Sequence, residues 1–164
     1  MKQWLDAAIE RGAVPVLTGQ NGDMDTIGSA IALAAIHPSL LACGLHLGRV
    51  AKRLVEEMKA PFRKIATHGT VFPDQIGGII IVDAAAPSQV GIDLPEVPRL
   101  IIDHHATNGW KLRDGDYMMQ WDVRATTEMV AAYMFQHAKE ALSSPVRKML
   151  LAGMITDTGR YRHA

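Results

Sequence analysis

The chain has 164 residues, its 17 Lys+Arg balance 17 Asp+Glu, and apolar residues make up 48%, which excludes both an intrinsically disordered chain and a strongly basic nucleic-acid coat protein. The single cysteine, Cys43, allows no intramolecular disulfide, no apolar run reaches the roughly 20 residues of a membrane span, and Met1 to Asp6 contain no signal-peptide core. One domain over residues 1–164 is therefore expected, in the cytoplasm and off the membrane.

Trp4, Leu5, Ala8 and Ile9 recur at helical spacing, and Gly12 supplies a stop. Val14 to Thr18 reads as a short buried strand, although Pro15 argues against a central position. Gly19 to Asp23 is a turn cluster. Thr26 to Ile36 is an Ala/Ile/Leu-rich helix, apolar almost all round and hence buried, and His37-Pro38 ends it. Gly48 to Lys59 alternates basic and apolar residues as an amphipathic helix. Ile79 to Val82 and Leu100 to Ile102 are continuous apolar runs that end at Asp83 and Asp103. Such runs suit strands covered on both faces. Tyr117 to Trp121 is a weaker strand signal, Thr126 to Ala138 is helical, and Pro145 opens a last helix through about Ala152. This alternation, without repeats or linkers, predicts an α/β fold: a mainly parallel sheet flanked by helices and joined by right-handed crossovers. Ligands in such folds sit outside the carboxyl ends of the strands.

Acidic residues fall at those ends. Asp23 and Asp25 follow the first strand, Asp83 the second apolar run, and Asp103-His104-His105 the third, while Asp157 follows the last helix. In a parallel sheet the first three groups converge on one edge. Crowded carboxylates repel unless a cation neutralises them. Mixed carboxylate and imidazole ligands suit Mn²⁺, Zn²⁺ or Fe²⁺, and carboxylates alone suit Mg²⁺. Two ions roughly 3.5–4 Å apart would clamp a phosphoryl transfer and activate its water. A lone Asp after a strand is more often a cap or turn residue. The specific signal is the whole ordered set, Asp-His-His above all.

That set resembles the DHH phosphoesterase superfamily, in its RecJ-like and nanoRNase/pAp-phosphatase branch. The matching segments are Asp23-Met24-Asp25-Thr26-Ile27-Gly28-Ser29-Ala30, Ile81-Val82-Asp83, Ile102-Asp103-His104-His105-Ala106-Thr107 and Thr156-Asp157-Thr158-Gly159. Between the last two, Ala125 to Val130 is similar to the family's small-polar helix start. The resemblance covers nearly the whole chain as the family's N-terminal catalytic domain. It implies that Asp23 ligates a first metal, that Asp83 bridges two, and that Asp25, His104 and Asp157 hold the second. It implies two Mn²⁺ ions, with Mg²⁺ as the substitute. His105 would face the substrate phosphate, Asp103 would orient a ring or its loop, and Asn21, Gly22 and Gly28 would let backbone approach ions or phosphate. The start of the 26–36 helix would add positive charge there.

Two departures stand out. Many members carry a His four residues before the first Asp, where this chain has Gly19; RecJ-like members carry an extra Asp, which aligns with Asn21. The family also continues into a second, substrate-binding domain, so three alternatives are expected: the sequence is a fragment truncated after its fourth motif, a downstream domain or a second copy covers the cleft, or the cleft is open on one side.

Other residues read more simply. His37, His46, His68 and His137 have no ligand-like neighbours, and Arg160, Arg162 and His163 read as a chain end that could meet phosphate. Arg49, Lys52, Arg53, Lys59, Arg63 and Lys64 are interrupted by Glu56 and Glu57 and read as a solvated helix face. Trp110 reads as buried or rim, Cys43 as a small apolar residue, and Met118, Met119, Met129 and Met134 as core filler. Three functions stay open. The first is metal-dependent hydrolysis of phosphate esters in short oligonucleotides or nucleotides, of exonuclease or pAp-phosphatase type. The second is a nucleotide- or metal-binding module with little catalysis. The third is pyrophosphate hydrolysis, which Gly19 disfavours.

Overall fold

A computed structural model describes residues 1–70 and 72–157. Among these residues the chain runs α1 (Lys2–Arg11), β1 (Val14–Thr18), α2 (Met24–Ala34), β2 (Leu40–Gly44), α3 (Arg49–Met58), β3 (Arg63–Lys64) and β4 (Ile79–Val82). It continues through β5 (Arg99–Asp103), β6 (Tyr117–Gln120), α4 (Thr126–His137) and α5 (Ser144–Asp157). The six strands form one parallel sheet in the order β3-β2-β1-β4-β5-β6. The α/β expectation holds.

Pro15 sits in a central strand after all. The N–H of Val14 donates to Ser39 O on the β2 side. N–H groups alternate sides along a strand, so position 15 faces β4, whose pairing with β1 begins only at Val16↔Ile80. The missing donor therefore leaves no ladder bond unmade.

The topology divides the core. The chain steps from β1 to β2 to β3 in one direction and from β4 to β5 to β6 in the other. Right-handed crossovers then place the two sets of connections on opposite faces. On one face Val14, Val16, Ile80, Val82, Leu100 and Ile102 pack with side chains from all five helices. On the other, Leu17, Cys43, Ile79, Ile81 and Ile101 are covered by loop residues, among them Phe72, Val90, Leu94 and Trp110.

At the centre of the helical layer lies α2, with every residue from Met24 to Leu33 buried. Gly28 serves this packing: a Cβ there would lie 2.7 Å from Met149 O of α5. Close packing of α2 on α5 by itself accounts for a glycine at this position. Gly22 takes φ 62° and abuts His46 O, so it shapes the loop.

Three elements differ from the sequence expectation. β2 (Leu40–Gly44) has no counterpart among the expected elements. Arg63 and Lys64 form β3 instead of extending the basic face of α3. α5 continues beyond Ala152 to Asp157.

Candidate metal centre

β1 and β4 are neighbours whose onward connections leave in opposite directions, which opens a crevice at their carboxyl ends. The 19–23 loop follows β1, Asp83 follows β4, and His104 and His105 follow β5, so the first three predicted groups do converge. Asp157 arrives differently from the expectation: it lies in the last turn of α5, not after that helix. Thr158 and Gly159 of the fourth motif, and Arg160, Arg162 and His163, lie outside the described residues.

His104 is the hub. Its Nδ1 lies 3.2 Å from Val123 O and donates to it, which turns Nε2 toward the carboxylates: protonated it donates to Asp83, and deprotonated it can ligate a cation. Nε2 faces Asp83 Oδ1 at 3.3 Å, Asp157 Oδ2 at 3.5 Å and Asp25 Oδ2 at 3.8 Å. Two sets of three donor atoms come within 4.8 Å of one another: Asp25, His104 and Asp157, and Asp83, His104 and His105. Three carboxylates around one imidazole nitrogen suit a divalent cation with mixed O/N preference.

Asp25 is held from another helix. Its Oδ2 accepts from Thr126 N at 2.9 Å, and its Oδ1 accepts from Thr127 N at 2.9 Å and Thr127 Oγ1 at 2.8 Å. The N-cap residue of α4, Ala125, offers no side-chain cap, so Asp25 caps α4 from α2. Thr126 Oγ1 also donates to Asp83 Oδ1 at 3.2 Å. Sequence reasoning did not assign Thr126 and Thr127 to the site. The small-polar start at Ala125 to Val130 was their available signal.

Asp83 has φ 58°, a left-handed conformation that costs energy outside glycine and that Asp and Asn tolerate best. It is 7% exposed. Asp23 caps α2, its Oδ1 accepting from Thr26 N at 2.9 Å, and its Oδ2 accepts from Asn21 Nδ2 at 3.2 Å. Thr26 Oγ1 donates to Val82 O at 3.0 Å and accepts from Gly19 N at 2.8 Å, which ties the ends of β1, α2 and β4 together. Asp103, fully buried, meets His105 Nδ1 at 2.6 Å through Oδ1, while its Oδ2 has no hydrogen-bond partner. Gln120 Nε2 donates to His105 O. The other His105 nitrogen thus points away from Asp103, and the ring borders a polar cavity of about 230 Å³ with Gly19, Asn21, Asp23, Asp83, Gln89 and Asp157. Gln89, whose Oε1 accepts from Ala85 N at 2.8 Å, carried no sequence signal.

The charges are frustrated without a cation. Burial, reinforced by Asp25 and Asp23, pushes the Asp83 carboxyl up to about 7. Burial and Asp25 raise Asp157 to about 6. Burial raises Asp25 against the opposing hydrogen bonds from Thr127 and Thr126. The hydrogen bond to Asp83, followed by the surrounding carboxylates, lifts His104 to about 9. A bound divalent cation inverts this logic and favours deprotonated ligands.

The remaining residues keep plain roles. Trp110 is buried and donates through Nε1 to Ala84 O at 2.9 Å. Cys43 is buried, His37 Nδ1 accepts from Ser39 N, and the His137 ring lies tilted against Tyr133. Among the described residues no helix is long and apolar enough to cross a membrane.

Comparison with solved structures places the chain over a Methanococcus jannaschii protein assigned to the family II inorganic pyrophosphatases, at 23% identity and TM-score 0.67, covering 90% of this chain and 49% of that one. It also superimposes on an exopolyphosphatase-related protein from Bacteroides fragilis at 16% identity and TM-score 0.72, covering 98% of this chain and 49% of that one. The chain thus spans about half the length of the structures it matches. These likenesses are of fold. No curated protein sequence matches it. The family model described as DHH family, N-terminal domain, matches residues 13–154, which takes in the Asp23, Asp83 and Asp103-His104-His105 segments, and the chain belongs to the DHH family.

Proposed function

We propose that this chain is the catalytic domain of a divalent-metal-dependent phosphoesterase, acting on phosphate esters of short oligonucleotides or nucleotides, as an exonuclease or pAp phosphatase does. One observation carries the reading: His104 Nε2 stands within 3.8 Å of oxygens from Asp25, Asp83 and Asp157 while Val123 O occupies its other nitrogen. This donor set fits Mn²⁺, with Mg²⁺ as the harder alternative. Asp25, His104 and Asp157 would hold one ion, Asp83 would serve both, and Asp23 with Asn21 would attend the other. When bound, such ions neutralise the carboxylates, polarise phosphoryl oxygens and activate water.

The chain's own groups do the rest. Asp103 accepts from His105 Nδ1 and fixes the ring's direction, so that Nε2 faces the polar cavity, where it would donate to a phosphoryl oxygen when both ring nitrogens carry a proton. The N-terminus of α2, capped by Asp23, adds its partial positive charge beside the same space. Membership in the DHH family and the likeness to proteins described as a pyrophosphatase and as exopolyphosphatase-related support hydrolysis at phosphorus.

A second reading, a metal- or nucleotide-binding module with little turnover, is favoured by Gly19. That residue brings no donor beside Asp23, and Asp23 joins neither three-donor group among the described residues. Mn²⁺ calorimetry, followed by turnover of pAp, a dinucleotide and pyrophosphate, separates the readings. Two ions and Mn²⁺-dependent release of phosphate or nucleotide, lost by on the order of 10³-fold in Asp83→Ala and His104→Ala, are the expected results. Turnover unchanged in both variants sinks the mechanism. Binding without turnover selects the module, and turnover of pyrophosphate alone moves the substrate class to phosphoanhydrides.

A further inference from the structure

Glycine is the least favourable residue after proline for a helix interior, and α5 carries one at position 153. Its surroundings explain why a side chain is excluded. A Cβ at Gly153 would lie 2.5 Å from Thr127 Cγ2, 3.1 Å from Thr127 Oγ1 and 3.2 Å from Asp25 Cα. The first distance is closer than real Cβ contacts come, and both neighbours are fully or almost fully buried, so neither can swing into solvent.

Thr127 is no passive neighbour. Through its N–H and its hydroxyl it makes two of the three hydrogen bonds that hold the Asp25 carboxylate. Gly153 also lies four residues before Asp157, so both sit on one face of α5, a turn apart. One glycine therefore touches the residues that orient Asp25 and underlies the turn that delivers Asp157. Both carboxylates belong to the group centred on His104.

We infer that Gly153 is a positioning residue for the Asp25–His104–Asp157 group. It lets α5 seat against α2 and α4 closely enough that Thr127 stays bonded to Asp25 and Asp157 reaches His104. A methyl group at 153 either rotates Thr127 off Asp25 or lifts α5, and with it Asp157, away from His104. The inference rests on the metal reading above for its functional meaning; the geometry it describes does not.

The test is a double-mutant cycle on the full chain. Gly153→Ala adds the clashing methyl, and Thr127→Ser removes the Cγ2 that it meets while keeping the hydroxyl. Mn²⁺ calorimetry of Gly153→Ala should show one class of ion weakened roughly 10- to 100-fold, as for other residues that orient metal ligands. The pair Gly153→Ala/Thr127→Ser should return to within about threefold of the parent. Amide hydrogen exchange at Thr126 and Thr127, read without metal, should accelerate in the single variant and recover in the pair. A helix that merely packs there would lower Tm and leave both readouts alone. Should Gly153→Ala not fold, Thr127→Val, which keeps the bulk and loses the donor, must weaken the same ion.

Parent-like Mn²⁺ affinity and parent-like exchange in Gly153→Ala, or parent-like affinity in Thr127→Val, overturns the inference. If the parent chain binds no Mn²⁺, the proposed function falls, and the exchange data alone decide the positioning.

Discussion

At the scale of single residues, Asp83 concentrates the tension of the site. It is nearly buried, it stands in a left-handed conformation, and its carboxyl is raised to about 7 by burial and then by Asp25 and Asp23. Above that pH, with no cation present, its charge works against the fold. Asp83→Asn keeps a residue type that tolerates φ 58° and keeps an oxygen for the Thr126 hydroxyl, while it removes the charge. The expected outcome at pH 8 without metal is a Tm equal to the parent's or about 2–5 °C higher, together with loss of Mn²⁺ binding by calorimetry. Asp83→Ala gives up the left-handed tolerance and is the poorer control, at about 1–2 kcal/mol. Mn²⁺ binding that survives in Asp83→Asn would remove Asp83 from the centre. Asp83, Asp103, His104 and His105 were legible in the sequence because each follows an apolar strand whose end is plain. Thr126 and Thr127 were not, because the carboxylate they hold lies 101 and 102 residues away. The small-polar start at Ala125 to Val130 marks a helix N-terminus, but nothing local names Asp25 as its cap.

At the scale of elements, α4 begins without a cap of its own and borrows one from α2. Asp25 is therefore both a candidate ligand and a structural acceptor for two buried backbone N–H groups and a hydroxyl. Asp25→Ala leaves those donors orphaned, and urea unfolding without metal should report a loss of roughly 2–4 kcal/mol. Unchanged metal-free stability would reduce Asp25 to a ligand alone. The same reasoning separates the elements that were readable from those that were not. β4 and the Leu100 to Ile102 stretch of β5 announce themselves as unbroken apolar runs that pack on both faces. β2 is a five-residue Leu-Leu-Ala-Cys-Gly segment just after a His-Pro break, with Leu41 exposed, and its identity comes from pairing with β1. β3 is two charged residues whose strand character exists only beside β2. α5 runs five residues past the expected end at Ala152, through a glycine that is a poor helix former. At Gly153 the missing side chain serves packing against Thr127 and Asp25, and the helix runs on to Asp157.

At the scale of the whole molecule, the reversal of strand order at β1 and β4 gathers the 19–23 loop, Asp83 and the Asp-His-His segment at one crevice, and α2, α4 and α5 complete it from the helical face. The stability of the fold is therefore coupled to the protonation of that crevice. Asp83 and Asp157, raised from 3.8 to about 7 and about 6, bind protons more tightly folded than unfolded, so their contribution falls as pH rises through that interval. Asp25 acts in the same direction. His104, raised from 6.5 to about 9, contributes stability that is complete below pH 6.5 and is lost as pH climbs to about 9. All four effects share one sign. Without metal, the Tm contribution of this cluster should decline from about pH 4 to about pH 9. Mn²⁺ binds the deprotonated ligands, so the stabilisation it adds should grow over the same range. Thermal unfolding at pH 5, 7 and 9, with and without Mn²⁺, in the parent and in Asp83→Asn, separates this cluster from the other titrating groups. The two parent curves should diverge as pH rises, and the Asp83→Asn curves should stay together. Parallel parent curves would mean that the carboxylates around His104 are not the groups that receive the ion.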